Sequence, residues 1–197
     1  FLALWETLKT KQIGRVRLIN TQKSYKLGKR PDFYKKKESY GGTIPWVGSH
    51  AIDWILWYSQ SGIDSVYATQ RNFKEEFVGE MEMIAQCQFN MKNGIIANAT
   101  IDYLRPEGSI TWGDDRVRIV GDKGILEARN GNAFLLNDKG FNKIYCKYPR
   151  TVFKDFIEDI QGKTEGLNNT EQTFQLTEAC LIARESAEKD KVMYFKS

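Results

Sequence analysis

The sequence has 197 residues, 41% hydrophobic and 27% charged, with a net charge of +4. That is enough chain for one sizeable core. Basic and acidic residues are interleaved, and the densest run, Lys35-Lys36-Lys37, is followed at once by Glu38 and reads as a solvated loop, so a nucleic-acid partner is not expected. No apolar run is long enough to cross a bilayer and no charged-then-apolar signal segment opens the sequence, so no membrane partner is expected either.

In chain order, Leu2 to Lys11 carries Leu2, Leu4, Trp5 and Leu8 at amphipathic helical spacing, with Gly14 as the closing glycine. Arg15 to Tyr25 alternates and predicts a strand. Lys26 to Tyr40 is polar, holds Gly28 and Pro31, and predicts a long loop that either brings contacts to a site or runs as a surface excursion. Gly41 to Tyr58 then reads as a glycine-rich turn leading into an apolar helix, with Thr43 as N-cap and Pro45 at the first helical position, where its missing N–H costs nothing. Ser61-Gly62 ends that helix, and Ile63 to Phe73 predicts a strand.

Met81 to Asn90 and Gly94 to Tyr103 are the clearest strands. Met83, Ala85, Cys87 and Phe89 alternate with Glu82, Gln86, Gln88 and Asn90, and Ala97, Ala99, Ile101 and Tyr103 with Asn98, Thr100 and Asp102. Lys92-Asn93-Gly94 supplies hairpin turn chemistry between them. One face of this pair is apolar and meets helices; the other is polar and meets water or a second copy. Leu104 to Gly108 breaks the sheet, and Trp112 to Arg116 follows. Val117–Val120, Ile125–Arg129, Ala133–Asn137 and Lys143–Lys147 are short strands. Thr151 to Gln161 predicts a helix with Val152, Phe153, Phe156, Ile157 and Ile160 on one side. Asn169 to Lys189 predicts another, with Phe174, Leu176, Leu181 and Ile182 on one side and Asn169 or Thr170 as cap. Val192 to Phe195 closes the chain as a strand. The sum is a single α+β domain over residues 1–197: a predominantly antiparallel mixed sheet of about seven to nine strands with helices on one face.

The chemistry concentrates around the only histidine, His50. Helical spacing places it on one face with Trp46, Asp53, Trp54 and Trp57. A ring held against apolar walls, with Asp53 one turn on to fix its tautomer, is a general acid/base arrangement; a histidine simply packed in the core has the same spacing. Ser49, His50 and Asp53 are close in sequence, but neighbouring helical residues point about 100° apart, which disfavours a hydrolytic triad. Arg105, Asp114, Asp115 and Arg116 sit in what reads as loops at strand ends, suited either to binding a polyol or sugar acid or to a salt-bridged loop. Cys87, Cys146 and Cys180 are far apart, which predicts no metal site, no haem and free thiols suited to a reducing, cytoplasmic setting.

Gly41, Gly42, Gly48, His50 and Asp53 resemble the signature of the Gfo/Idh/MocA oxidoreductases: glycines, then Gly-x-His, then Asp three residues later. Ile13-Gly14-Arg15-Val16 is similar to that family's lead into its second domain, Val120 to Glu127 to its late hairpin, and Ser186-Ala187 with Lys191 to Phe195 to its closing helix and strand. The family usually carries an Asp four residues before the histidine; here Trp46 stands there, so either this branch uses His50 without that Asp or its chemistry differs. No Gly-x-Gly-x-x-Gly occurs, and no proline follows a lysine, so neither the dinucleotide fingerprint nor the family's Glu-Lys-Pro motif is present. The chain opens at Phe1 in a helical pattern. The resemblance therefore implies a C-terminal substrate and oligomerisation domain without its NAD(P)-binding domain, taken from a longer NAD- or NADP-dependent enzyme acting on a sugar or polyol. The fragment alone is expected to hold no cofactor. His50 would serve catalysis, Asp53 would orient it, Trp46, Arg105, Asp114 and Arg116 would bind substrate, and the open sheet face would make a homo-oligomer. The alternative is a non-catalytic sugar-sensing or dimerisation domain of the same fold.

Overall fold

The computed structural model describes residues 1–73, 77–147, 152–163 and 170–196. Nine strands form one sheet: β1 Val16–Lys26, β2 Ile63–Arg71, β3 Ile84–Met91, β4 Ile96–Arg105, β5 Gly113–Gly121, β6 Gly124–Arg129, β7 Asn132–Asn137, β8 Gly140–Ile144 and β9 Met193–Tyr194. Their order is β8-β7-β6-β5-β1-β4-β3-β2-β9. Every neighbouring pair is antiparallel except β1 with β4. The helices are α1 Leu2–Lys9, the single turn α2 Lys37–Tyr40, α3 Ser49–Ser59, α4 Val152–Ile160 and α5 Thr170–Lys189. The predicted α+β architecture is thus the observed one. Thr151, Asn169 and the side chain of Val152 lie outside the described residues.

Strand alternation becomes burial. Ala85, Cys87, Phe89, Ala97, Ala99, Ile101 and Tyr103 are buried on the face that α3 and α5 cover. Helix α3 meets that face with Ala51, Ile52, Ile55 and Tyr58 at helical spacing, each large apolar side chain contributing about 1.5–3 kcal/mol. The β3–β4 turn forms as expected: Gly94 takes φ 83° and Asn93 Oδ1 accepts the Ile95 N–H.

Several boundaries differ from the sequence reading. Strand β5 begins at Gly113, because residues 113–121 pair with β1 along their length; Asp114, Asp115 and Arg116 are strand residues, disguised by a run of charge. The last hairpin strand is residues 140–144 rather than 143–147. Helix α1 ends at Lys9, and Lys11, not Gly14, takes the first left-handed conformation after it. Helix α5 buries Ala179, Cys180, Ala183 and Ser186, whereas Phe174 and Leu181 are exposed. Small residues let its backbone lie close over β2, where the Ser186 hydroxyl accepts the Ala68 N–H. The predicted loop over residues 26–40 is packed, with Tyr34 and Tyr40 buried.

The lead into β1 leaves no room at Gly121, where an added Cβ would stand 2.0 Å from the Ile13 carbonyl oxygen. Gly121→Ala is expected to cost about 3 kcal/mol in chemical denaturation. Gly108→Ala, which meets open space, should stay within about 0.5 kcal/mol.

Candidate functional site

Helix α3 is preceded by a wide π-type turn, Ile44–Gly48, with Pro45 near its start. Thr43 does not cap it. Its hydroxyl donates to the Glu82 carbonyl at 2.5 Å, while the buried Glu82 carboxylate accepts the Thr43 N–H at 3.2 Å. An acidic group at the positive end of the helix, brought from 39 residues away in sequence, does the capping. Gly48 is required by contact: an added Cβ would stand 2.7 Å from Ile101 Cδ1. The glycines before the helix take left-handed conformations, φ 80° at Gly41 and 103° at Gly42.

The π turn changes which residues share a face, because its wider winding breaks the 3.6-residue spacing from which Trp46 and His50 were aligned. Trp46 turns into an aromatic cluster with Phe33, Tyr34 and Tyr40, its ring centroid 5.6–5.9 Å from theirs, and remains 47% exposed. His50 is exposed in the first turn of α3 and faces β1 and β5, where the charges of Lys23 and Asp115 act on it. Lys23 is buried. Its ammonium lies 2.7 Å from Asp115 Oδ2, directly across the β1–β5 register, and about 5 Å above the rings of Tyr25 and Trp54. Trp54 follows His50 by four residues on α3, so both overlie this pair.

Partial burial, and then the charge of Lys23, hold the His50 ring below its ordinary value of about 6.5, with Asp115 opposing. The ring is therefore mainly neutral at pH 7 and able to accept a proton. Asp53 does not orient it. Among the described residues no hydrogen bond joins the two, and Asp53 lines a separate recess of about 250 Å³ with Trp57, Gln60 and Gln175. Burial raises the Asp53 carboxyl. The carboxylate facing His50 is Asp115. Ser49 donates its hydroxyl to the Trp46 carbonyl, so no serine nucleophile is presented to the ring.

Arg105, Asp114 and Arg116 come together, but on the other side of the sheet. Asp114 pairs with Ser24 and Arg116 with Gln22, positions whose side chains point away from the helices, whereas Lys23 points towards them. Arg116 grips Asp114 with Nε–Oδ1 2.9 Å and Nη2–Oδ2 2.6 Å, and Arg105 Nη1 lies 3.4 Å from Asp114 Oδ2. The forked hydrogen bond from Arg116 holds the Asp114 carboxyl below its usual range. These three residues occupy one another as an ion-pair cluster on the open face, away from His50.

No motif marks Lys23, Tyr25, Arg30, Tyr103 or Trp112 in the sequence. Tyr40 and Tyr103 share a hydroxyl–hydroxyl hydrogen bond of 3.0 Å, and burial pushes Tyr103 up to about 12. The missed signal at Lys23 was its parity: it falls in step with Ile19 and Thr21, on the buried face of an alternating strand. Among the described residues no group of His, Cys, Asp and Glu is placed to hold a metal ion, and Cys87 and Cys180 are buried thiols. No described helix is long and apolar enough to cross a membrane.

As the only histidine, His50 can be titrated directly by NMR. Its midpoint is expected below about 6.5. Lys23→Met should move it up and Asp115→Asn should move it down. Because the folded protein binds this proton less tightly than the unfolded chain does, acid favours unfolding. The stability held above about pH 6.5 is therefore lost as the pH falls through the folded-state midpoint.

No curated protein matches the chain. Among solved structures, a candidate oxidoreductase from Thermotoga maritima is 45% identical with a TM-score of 0.95, covering 99% of this chain and 60% of that one. An aldose-aldose oxidoreductase from Caulobacter crescentus, complexed with glycerol, shares the fold at 15% identity and TM-score 0.84, over 98% of this chain and 60% of that one. An oxidoreductase from Agrobacterium radiobacter, in complex with NAD+, L-tartaric acid and magnesium, does so at 12% identity and TM-score 0.77, over 96% and 59%. The chain thus spans about 60% of the length of these structures. The GFO/IDH/MocA C-terminal domain matches residues 1–127. With that match over most of its length, the chain belongs to the GFO/IDH/MocA C-terminal domain family.

Proposed function

We propose that residues 1–197 form a single substrate-binding and oligomerisation domain of an NAD(P)-dependent oxidoreductase acting on a sugar, polyol or related hydroxyl compound in the cytoplasm. The observation that carries this reading is His50: an exposed, mainly neutral imidazole in the first turn of α3, over the buried Lys23 and its partly exposed partner Asp115. The glycerol complex of the Caulobacter protein and the NAD+ and tartaric acid complex of the Agrobacterium protein support the choice of small hydroxyl compounds and of a nicotinamide cofactor.

The chain's own residues do not fit a dinucleotide. The sequence holds no Gly-x-Gly-x-x-Gly, and among the described residues no strand turns through such a glycine loop into a helix. The nicotinamide, when bound by the parent enzyme, supplies the hydride chemistry. The part of this domain is the proton. Neutral His50 accepts the hydroxyl proton as a carbinol becomes a carbonyl, and returns it in the reverse direction. Lys23 disfavours the imidazolium, keeping the base available, while Asp115 limits that effect. Trp46, in the place of the family's usual Asp, offers a flat wall with a single N–H instead of a second proton acceptor.

In the parent enzyme, His50→Ala and His50→Asn are each expected to lower turnover per folded site by roughly 100- to 10,000-fold with little change in melting temperature. Near-normal turnover in both would end the catalytic reading. Trp46→Asp should shift preference towards more hydroxylated substrates without abolishing turnover.

The open sheet face presents Gln86, Gln88, Asn98, Thr100, Arg116 and Arg118, a broad polar surface. Packing of this face against a second copy predicts a multiple of the 22.8 kDa chain mass in light scattering at high concentration; a strictly monomeric mass overturns it.

A further inference from the structure

Arg30 follows the C-terminal end of β1, the end of the sheet that carries Lys23, and has no counter-charge among the described residues. Its guanidinium lies 4.8 Å from the ring centroid of Tyr103, 5.4 Å from that of Tyr34 and 5.8 Å from that of Trp112. One donor is used, Nη2 to the Lys26 carbonyl at 3.0 Å. Nε is buried and has no hydrogen-bond partner, and among the described residues none accepts from Nη1. A guanidinium has five N–H donors in a fixed fork, so most of this one's capacity is unspent.

The neighbouring carboxylates are engaged elsewhere. Asp32 pairs with Lys35 at 2.9 Å, Glu107 accepts the Gly28 N–H at 3.3 Å, and Asp102 accepts the Ser24 hydroxyl at 2.8 Å and the Leu104 N–H at 3.0 Å. Among the described residues no acidic group lies within ion-pair distance of Arg30. The aromatic rings hold the cation in place but do not neutralise it. They also extend to the turn before α3: Tyr34, against Arg30, packs on Trp46 with ring centroids 5.6 Å apart. Lys26 and Lys29 add positive charge along the same loop.

We propose that Arg30 is a specificity-determining residue that receives a carboxylate of the substrate, making the substrate a hydroxy acid or sugar acid rather than a neutral sugar. This rests on the reading of His50 as the proton-transfer residue at the same end of the sheet. A fork already fixed by three rings loses little freedom on binding, and carboxylate is the group its geometry matches in two parallel hydrogen bonds. The half-exposed Trp112 and Trp46 give the hydrocarbon side of such a ligand apolar surface to lie on.

The test is equilibrium binding of D-gluconate, D-glucuronate and D-glucose at matched ionic strength, followed by tryptophan fluorescence and by the indole N–H signals. The two acids are expected to bind at least roughly ten-fold more tightly than glucose, the discrimination of a charge-assisted hydrogen-bond pair. Arg30→Gln should erase that preference, and Arg30→Lys, which keeps the charge but not the fork, should retain part of it. Equal binding of acids and glucose, no binding of either, or an unchanged preference in Arg30→Gln overturns the proposal. So does a fall in melting temperature of Arg30→Gln with preference retained, which would make Arg30 an anchor of the loop only. His50→Asn separates the two readings: it should lose turnover in the parent enzyme while keeping the preference for the acids.

Discussion

The register of β1 against β5 and β4 is the constraint on which the site depends. Lys23 stands opposite Asp115 on one side and Ile101 on the other. Side chains alternate along a strand, so a slip of one residue would send Lys23 to the open face and bring Gln22 or Ser24 under α3. The ion pair at 2.7 Å resists such a slip, because either charge left alone in this partly buried place would have no compensation. A buried pair of this kind contributes little net stability compared with an apolar packing of the same volume. Its consequence lies in the position it fixes: a cation and an anion held beneath the imidazole of α3.

The approach of α3 to that pair is set from three directions. Glu82 caps the helix from the segment before β3, and the close contact of Gly48 with Ile101 sets its height over the sheet. Arg184 of α5 donates to the Gly41 carbonyl at 2.9 Å, and Lys37 bridges the carboxylates of Glu82 and Glu188 at 3.4 and 2.8 Å. These tie the start of α3 to α5 and to the loop carrying Tyr34 and Tyr40. The π turn is accommodated within this frame, directing Trp46 to the aromatic cluster and His50 to Lys23.

The sheet thereby acquires two electrostatically separate faces. On the helix side, few charges are present and each acts at short range in a partly apolar setting, so that Lys23 and Asp115 can bias a nearby imidazole. On the open side, Arg105 and Arg116 satisfy the largely covered Asp114 carboxylate, so these charges are spent on one another and not on the imidazole. Their closeness in sequence to Asp115 hides the fact that consecutive strand residues belong to different environments.

The sequence by itself determined the strands and helices whose periodicity is apolar: the β3–β4 hairpin, the buried faces of those strands, the helix around His50 and the α+β class. It also drew attention to His50 through the glycine and Gly-x-His pattern. Apolar alternation reports local geometry directly, because burial follows the period of the strand or helix. Only the tertiary structure decided who stands beside His50. Asp53 is three residues away and turns to another recess; Asp115 is 65 residues away and acts on it from β5, where it pairs with Lys23. Charged residues carry no periodic signature of their own, and a π turn or strand register changes their direction without changing the sequence pattern. The assignment of Arg116 and Asp114 to the face opposite Lys23 follows from β1–β5 pairing alone, which is a contact between segments about 90 residues apart and is written in neither of them.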